Sequence, residues 1–250
     1  MLEKISNADD SLFIWKTFEN ANRLKECITL ISEFCVFGKV LKKAEYIFIG
    51  KIFKSVALQI REACQKLQVQ LSECETSPKR FDFVKDVLTQ TQRDLVKHCT
   101  DVIALVKDNL LTDKVVFILE TSAAQSDVEY LCFLYKLVAD YYRYLCECTF
   151  DDEKSNFIKL SHWYYTKSYD HSSQLSTDNE IRLGLILNYS VFLYDIIHAR
   201  KEALKLSHEV VEETQSYIES LDPKEKKLSN PIGLTMIMEN IDIWSAETSD

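Results

Sequence analysis

Apolar residues recur every three to four positions along most of the chain, a spacing that places them on one face of an α-helix. Short polar segments end these runs, for example SPKR at 77–80 and LDPKEKK at 221–227. The pattern predicts nine helices, at residues 8–21, 23–37, 43–72, 80–112, 127–148, 153–168, 180–197, 201–220 and 230–246. No long Gly/Ser-rich linker separates them, so we expect a single all-α helical domain over 1–250 that ends in a short acidic tail at 245–250.

Composition agrees with a helical fold and restricts the class of protein. The 250 residues include only 4 Gly and 3 Pro, far below their usual shares of roughly 7% and 5%. Because no run of about 18 apolar residues occurs, we expect no membrane span. The N-terminal segment carries acids where a secretory signal peptide has cations. Together these features predict a cytoplasmic or nuclear protein.

Charge and motif content exclude several functions. A net charge of −9 argues against a general nucleic-acid-binding protein, because phosphate backbones require a basic surface. The 8 cysteines contain no C-x-x-C pair, so we predict free, buried thiols and no zinc or other metal site. The sequence also lacks G-x-G-x-x-G, G-x-x-x-x-G-K and H-E-x-x-H, the common nucleotide, phosphate and zinc-protease motifs. We therefore expect a protein that is not an enzyme and uses no cofactor.

Polar residues interrupt the apolar faces of three predicted helices at a spacing of seven. These pairs are Lys54 and Arg61, Lys136 and Arg143, and Asn188 and Asp195. Seven residues turn a helix through about 700°, so each pair projects from one face. Individually, such residues are most often solvated cations or satisfied buried amides. Together, cations beside a tyrosine hydroxyl suit a dianionic phosphate, and asparagines suit the main chain of an extended peptide.

The segments that carry these residues resemble signature segments of the 14-3-3 proteins. They are ADYYRYLCE (139–147), IRLGLILNYSVFLYDI (181–196), MENIDIW (238–244), KIFKSVALQIR (51–61) and HCTDVIALV (98–106). The resemblance implies nine antiparallel helices in a cup-shaped dimer. It also implies an adaptor that binds phosphoserine or phosphothreonine peptides of client proteins and regulates those clients in signalling.

The resemblance also assigns residues to the implied binding groove. The phosphate would bind Lys54, Arg61, Arg143 and Tyr144. The rest of the peptide would lie against Lys136, Leu187, Asn188, Val191, Asp195, Met236, Asn240, Ile243 and Trp244. Asp195 stands where the family has glutamate.

The chain departs from the family pattern near this groove. Gln65 stands where the family has a further arginine, which predicts less positive charge around the phosphate. Gly233 lies near an apolar groove residue, which predicts a looser wall there. About eleven extra residues, at 112–127, separate the fourth and fifth helices of the family pattern.

The predicted dimer contact departs from the pattern as well. Asn20 replaces an arginine and Arg23 replaces an aspartate, while Gln90 and Asp94 lie across from them. Most of the complementary charge is lost, so we expect a homo- or heterodimer that is weaker than is typical of the family.

A second hypothesis is a helical-repeat scaffold. Paired helices about 35–40 residues apart resemble tetratricopeptide arrays, which would bind unphosphorylated peptides. Binding of one peptide with and without its phosphate distinguishes this scaffold from a phosphopeptide adaptor.

Overall fold

The computed structural model describes residues 10–36, 38–122, 124–228 and 231–247. Every regular element in these ranges is helical, which confirms the predicted all-α class. The helices are α1 (Ser11–Asn20), α2 (Leu24–Phe34), α3 (Lys43–Glu73), α4 (Pro78–Leu105), α5 (Asp113–Glu120), α6 (Gln125–Cys146), α7 (Asp151–Ser172), α8 (Glu180–Val191), α9 (Arg200–Ser220), α10 (Pro223–Leu228) and α11 (Ile232–Glu247). A π-helical turn, Val106–Leu110, follows α4, and a second, Phe192–Ile196, follows α8.

Nine of these helices match the predicted ones, and the short helices α5 and α10 were missed. α5 occupies half of the extra segment at 112–127. Val115 and Leu119, four residues apart, are both buried, and the Val115 amide donates to the Thr112 hydroxyl (3.4 Å), as at many helix starts. α10 begins at Pro223, where a proline is favoured because the first helical amide needs no partner. α10 overlaps the segment LDPKEKK at 221–227, which we interpreted as a break, and α5 lies where we predicted no helix.

The chain divides into two compact units, one up to Val115 and one from Val116. The prediction of a single domain over 1–250 stays a prediction. In the first unit α3 packs against α4 as a helical hairpin, and the His98 ring nitrogen Nε2 lies 3.1 Å from the Phe53 carbonyl oxygen. Trp15 on α1 is buried between aromatic rings of α2 and α3.

In the second unit α6 and α7 form the most extensive helix contact. Two small side chains of α7, seven residues apart, bring the helices close. Ser161 donates to the Ala139 carbonyl (2.9 Å), and Ser168 donates to the Cys132 carbonyl (2.8 Å). Because these serines satisfy backbone oxygens, α7 can bury polar atoms without an unmet hydrogen bond.

A second packing region of this unit joins α8, α9 and α11. Its core contains Leu183, Ile186, Val210, Leu234, Ile237 and Ile241. Gly233 makes this packing close, because an added Cβ would lie 2.9 Å from Leu183 Cβ. The structure therefore has a tight helix contact at Gly233, where we had expected a looser wall.

The last helix, predicted to end at 246, ends at Glu247 and includes residues that we had assigned to the acidic tail. Trp244 stacks on Tyr194, with ring centroids 4.4 Å apart and planes at 8°. The Tyr194 hydroxyl then donates to the Glu247 carboxylate (2.8 Å). These contacts keep residues 245–247 in α11, although we had predicted a tail from 245. Residues 248–250 lie outside the described residues.

Most of the cysteines are buried residues of the protein interior. All 8 are free thiols and 6 of them are buried, as predicted. Burial raises the pKa of Cys27 and Cys146 to about 11, and that of Cys35 and Cys132 to about 12. Within the described ranges no His, Cys, Asp or Glu group could hold a metal ion. No helix there is long and apolar enough to span a membrane.

Candidate functional site

The predicted site residues of the first unit lie on α3. Lys54 is exposed and Arg61 is half-buried, and Gln65 is exposed one turn further on. Spacings of seven and four residues place all three on one side of the helix. The buried Ala57 and Phe53 form part of the side that packs into the unit. The other eleven predicted residues belong to the second unit.

The central feature of the second unit is Asp140 on α6, which is only 6% exposed. Its carboxylate accepts hydrogen bonds from Lys136 Nζ (2.7 Å), the Tyr165 hydroxyl (2.5 Å) and Asn188 Nδ2 (2.8 Å). The donors come from α6, α7 and α8. Two predicted groove residues, Lys136 and Asn188, therefore meet at a carboxylate that we had not predicted as part of the site.

Arg143 lies one turn along α6, and its side chain is 12% exposed. Its Nε donates to the Tyr165 hydroxyl oxygen (3.2 Å), and its guanidinium lies over the Tyr144 ring at 4.8 Å. Nη1 is 4.0 Å from the Glu147 carboxylate, beyond hydrogen-bond distance. The tyrosines thus hold a permanent cation within a mostly apolar helix.

Charge compensation keeps this cluster ionised. Burial by itself would raise the pKa of Asp140, but the positive charges of Lys136 and Arg143 hold that pKa below its usual value. Burial likewise opposes the charge of Arg143, whereas Tyr165, Tyr144 and Asp140 raise its pKa. Burial raises the pKa of Tyr165, so its hydroxyl keeps its proton. At neutral pH the site contains a carboxylate, a guanidinium and a neutral phenol.

α8 and the π-helical turn after it carry four predicted residues. Leu187, Asn188 and Val191 are half-buried, and Leu187 packs against the core between α8, α9 and α11. Asp195 lies in the turn and is exposed. Partial burial raises the pKa of Asp195, and the positive charge of Arg143 opposes that shift.

The predicted residues of α11 fall into two groups. Met236 and Ile243 are 45% and 56% exposed, and the half-buried Asn240 lies between them on the same face. Trp244 differs, because it is only 6% exposed and stacks on Tyr194. Its ring stabilises the end of α11, so most of its surface faces the interior of the unit.

Sequence reasoning missed Asp140 and Tyr165. Asp140 had a detectable signal, since a carboxylate four residues after Lys136 is a spacing that favours a helical ion pair. Tyr165 is 25 residues from Asp140 along the chain. No periodicity within either helix indicates that contact.

The family model for the 14-3-3 proteins matches residues 14–245, which include every site residue described above. The chain belongs to the 14-3-3 family. This membership supports an adaptor role and does not favour the tetratricopeptide-like alternative.

Relatives from distant organisms match nearly the full length of the chain. "14-3-3 protein 3" of Entamoeba histolytica is 26% identical over 246 residues, covering 97% of each protein. "14-3-3 protein homolog 2" of Echinococcus granulosus is 26% identical over 94% of this chain and 90% of its own length. "14-3-3 protein theta" of Mus musculus is 26% identical over 94% of this chain and 91% of its own length. This chain is thus a divergent 14-3-3 protein.

Proposed function

We propose that this 14-3-3 protein is an adaptor that binds phosphoserine or phosphothreonine peptides and thereby regulates client proteins in signalling, without catalysis of its own. The observation that carries the proposal is Arg143, a nearly buried cation kept charged by tyrosines and Asp140. A desolvated guanidinium forms strong, charge-assisted hydrogen bonds with phosphate oxygens. A buried ion cluster adds little stability by itself, because desolvation offsets the attraction between its charges.

The phosphate is proposed to bind Arg143 together with Tyr144. Nε of Arg143 is occupied by Tyr165, so the two terminal nitrogens are the atoms suited to a bidentate phosphate contact. Additional binding by Lys54 and Arg61 stays a prediction from the family resemblance.

The remainder of the peptide is proposed to lie along α8 and α11. Asn188 and Asn240 would bind its main chain, and Lys136 would add a cation beside it. Exposed or half-buried apolar residues would contact its side chains: Leu187, Val191, Met236 and Ile243. Asp195 would border this surface, and Trp244 would support it from beneath.

Binding of three fluorescent peptides tests the function. They share one sequence and carry phosphoserine, serine or glutamate at a single position. A phosphoserine carries about −1.5 to −2 charge at pH 7 and three acceptor oxygens, so we expect it to bind at least about tenfold more tightly than either of the others. Equal affinity for the phosphoserine and glutamate peptides would contradict the proposal. Mass spectrometry of the peptides after incubation tests for catalysis, and we expect no change in mass.

We also propose a weakened homo- or heterodimer. In the first unit a cleft of about 790 Å³ is bordered by Arg23 of α2's N-terminal end, Ile60 of α3 and Asp94 of α4. Arg23 forms an ion pair with Glu26 in the first turn of α2 (2.9 Å). Asp94 accepts a hydrogen bond from Gln90, which also lies on α4 (3.1 Å). Arg23 is therefore already paired within its own chain, and Asp94 has only a neutral partner there, so little complementary charge is offered to a second chain.

We further infer a cytoplasmic or nuclear location, with neither nucleic acid nor membrane as a partner. Free thiols at all 8 cysteines suit a reducing compartment. The net charge of −9 disfavours binding to phosphate backbones or anionic lipids.

A further inference from the structure

One buried carboxylate joins three helices of the second unit. Asp140 of α6 accepts hydrogen bonds from Lys136 on the same helix, Tyr165 on α7 and Asn188 on α8. Tyr165 and Asn188 share the oxygen Oδ1, while Lys136 binds Oδ2. The carboxylate therefore has a donor on each oxygen, and two donors converge on one of them.

This arrangement determines which way the Asn188 amide points. An ionised carboxylate can accept hydrogen bonds but cannot donate them. The atom of Asn188 that faces Asp140 must therefore be the donor Nδ2, at 2.8 Å from Oδ1. The amide is planar, so its oxygen lies on the other side of Cγ. Within the part of the chain that the structure describes, that oxygen makes no hydrogen bond, and Asn188 is half-buried rather than enclosed.

The same carboxylate also determines the direction of the Tyr165 hydroxyl. Its single proton goes to Asp140, so its oxygen accepts from Nε of Arg143. The guanidinium is thereby held through Nε, and neither terminal nitrogen makes the hydrogen bond to Tyr165. A continuous chain of hydrogen bonds runs from Asn188 through Asp140 and Tyr165 to Arg143.

We propose that Asp140 is a positioning residue that holds the side-chain oxygen of Asn188 towards the bound peptide, so that Asn188 selects a main-chain N–H of the ligand. This inference rests on the proposed function. The same Asp140 orients Arg143 through Tyr165, and it therefore orders the phosphate contact and the main-chain contact from one buried charge.

Two substitutions separate these roles. Asp140→Asn preserves the shape but replaces one acceptor oxygen with an NH₂ group, so the side chain can no longer accept from all three donors. The Asn188 amide is then free to rotate by a half-turn and present either its oxygen or its nitrogen. Tyr165→Phe keeps the aromatic ring and the Asp140–Asn188 hydrogen bond, and it removes only the link to Arg143.

The test uses the phosphoserine peptide and a series of its ester analogues. Each analogue replaces one main-chain N–H near the phosphoserine with an oxygen, which removes a donor without adding bulk. For wild-type protein we expect one ester position to weaken binding by about tenfold, the typical effect of a hydrogen bond lost beside a charged network. For Asp140→Asn we expect the penalty at that position to fall below about threefold while the other positions are unchanged. A purely structural role would weaken all the peptides in parallel.

The control variants complete the test. Tyr165→Phe should weaken all peptides by a similar factor and keep the ester penalty. Asn188→Ala should remove the penalty at the same position, and it identifies the main-chain N–H that Asn188 binds even if Asp140→Asn does not fold. Retention of the penalty in a folded Asp140→Asn or in Asn188→Ala, or no sensitive ester position in wild-type protein that binds phosphopeptide, would overturn the inference. If wild-type protein bound the phosphorylated and unphosphorylated parent peptides equally well, the proposed function, on which the inference rests, would be overturned instead.

Discussion

Nε of Arg143 donates a 3.2 Å hydrogen bond to the Tyr165 hydroxyl, which in turn donates a hydrogen bond to Asp140. This contact explains how a cation is accommodated in a helix whose neighbouring residues are almost all buried. Desolvation of the guanidinium is offset by a phenol oxygen, an aromatic face and a carboxylate. The charge is thus available to a ligand while the side chain stays ordered.

Removal of this cation should weaken phosphopeptide binding. Arg143→Ala eliminates charge-assisted hydrogen bonds of roughly 1.5–3 kcal/mol, so we expect at least about a tenfold loss of affinity for the phosphoserine peptide. Fluorescence anisotropy provides the affinity, and circular dichroism should show little change in helix content. Lys205→Ala is a matched control, because Lys205 is a cation of the same unit and its side chain is 76% exposed. Similar affinities for wild-type protein and Arg143→Ala would contradict the assigned phosphate contact.

Arg61 on α3 provides a separate test of the first unit. If it binds the same phosphate, Arg61→Ala should reduce affinity for the phosphorylated peptide by about tenfold. Binding of the unphosphorylated peptide should change little. The neighbouring Gln65→Ala lies on the same side of the helix and serves as the control for surface changes. Unaltered phosphopeptide affinity in Arg61→Ala would show that Arg61 does not bind the phosphate.

The buried Asp140 should make stability depend on pH. Its pKa is lowered in the folded protein, and the unfolded value is about 3.9. Its ionised form therefore adds stability above the unfolded pKa, and that contribution is lost as the pH falls through the folded pKa. Urea unfolding of wild-type protein and Asp140→Asn should show a stability difference that is largest at neutral pH and shrinks in acid. Asp152→Asn, which removes an exposed carboxylate, should show only a small difference throughout.

The sequence was most informative about which residues share one side of a helix. The spacing of seven between Lys136 and Arg143 places both on one side of α6, as the structure confirms. The sequence did not predict the tight packing of α7 on α6 through Ser161 and Ser168, because serines are also common on the exposed face of a helix. The Asp140–Asn188 hydrogen bond joins residues that are 48 positions apart in the sequence. The hydrophobic periodicity of a helix does not predict contacts between residues so far apart in the sequence.

A short helix and the end of the last helix were predicted less well than the long helices. α5 was missed because a helix of 8 residues offers only two turns of apolar pattern, too little to separate from a loop. An acidic tail was predicted from 245 because the sequence after Trp244 is polar, whereas α11 includes residues 245–247. Its continuation depends on the Tyr194–Glu247 hydrogen bond, which connects two separate elements.

Gly233 offers a direct test of helix packing. An added Cβ would lie 2.9 Å from Leu183 Cβ, so Gly233→Ala should force α11 away from α8 and destabilise the protein by about 1–3 kcal/mol. Gly184→Ala is the matched control, because the nearest atom to its Cβ would be Lys136 Cε at an ordinary 3.9 Å. Alanine is the better helix former, so this variant should be neutral or more stable by up to about 1 kcal/mol. Thermal unfolding of both proteins provides the comparison, and equal effects would contradict the packing argument.

The proposed weak dimer can be strengthened by design if the charge argument is correct. Asn20 is exposed at the end of α1, where the family pattern has an arginine that faces acidic residues of the second chain. Asn20→Arg should restore attraction to Asp94, and Asn20→Glu should add repulsion. An exposed ion pair contributes about 0–1 kcal/mol, and two-fold symmetry repeats each contact, so the dissociation constant should fall by up to about thirtyfold in Asn20→Arg. Sedimentation equilibrium should detect monomer in wild-type protein at low micromolar concentration. A wild-type dimer that persists at nanomolar concentration, or identical dissociation constants for the arginine and glutamate variants, would show that contacts other than these ion pairs determine assembly.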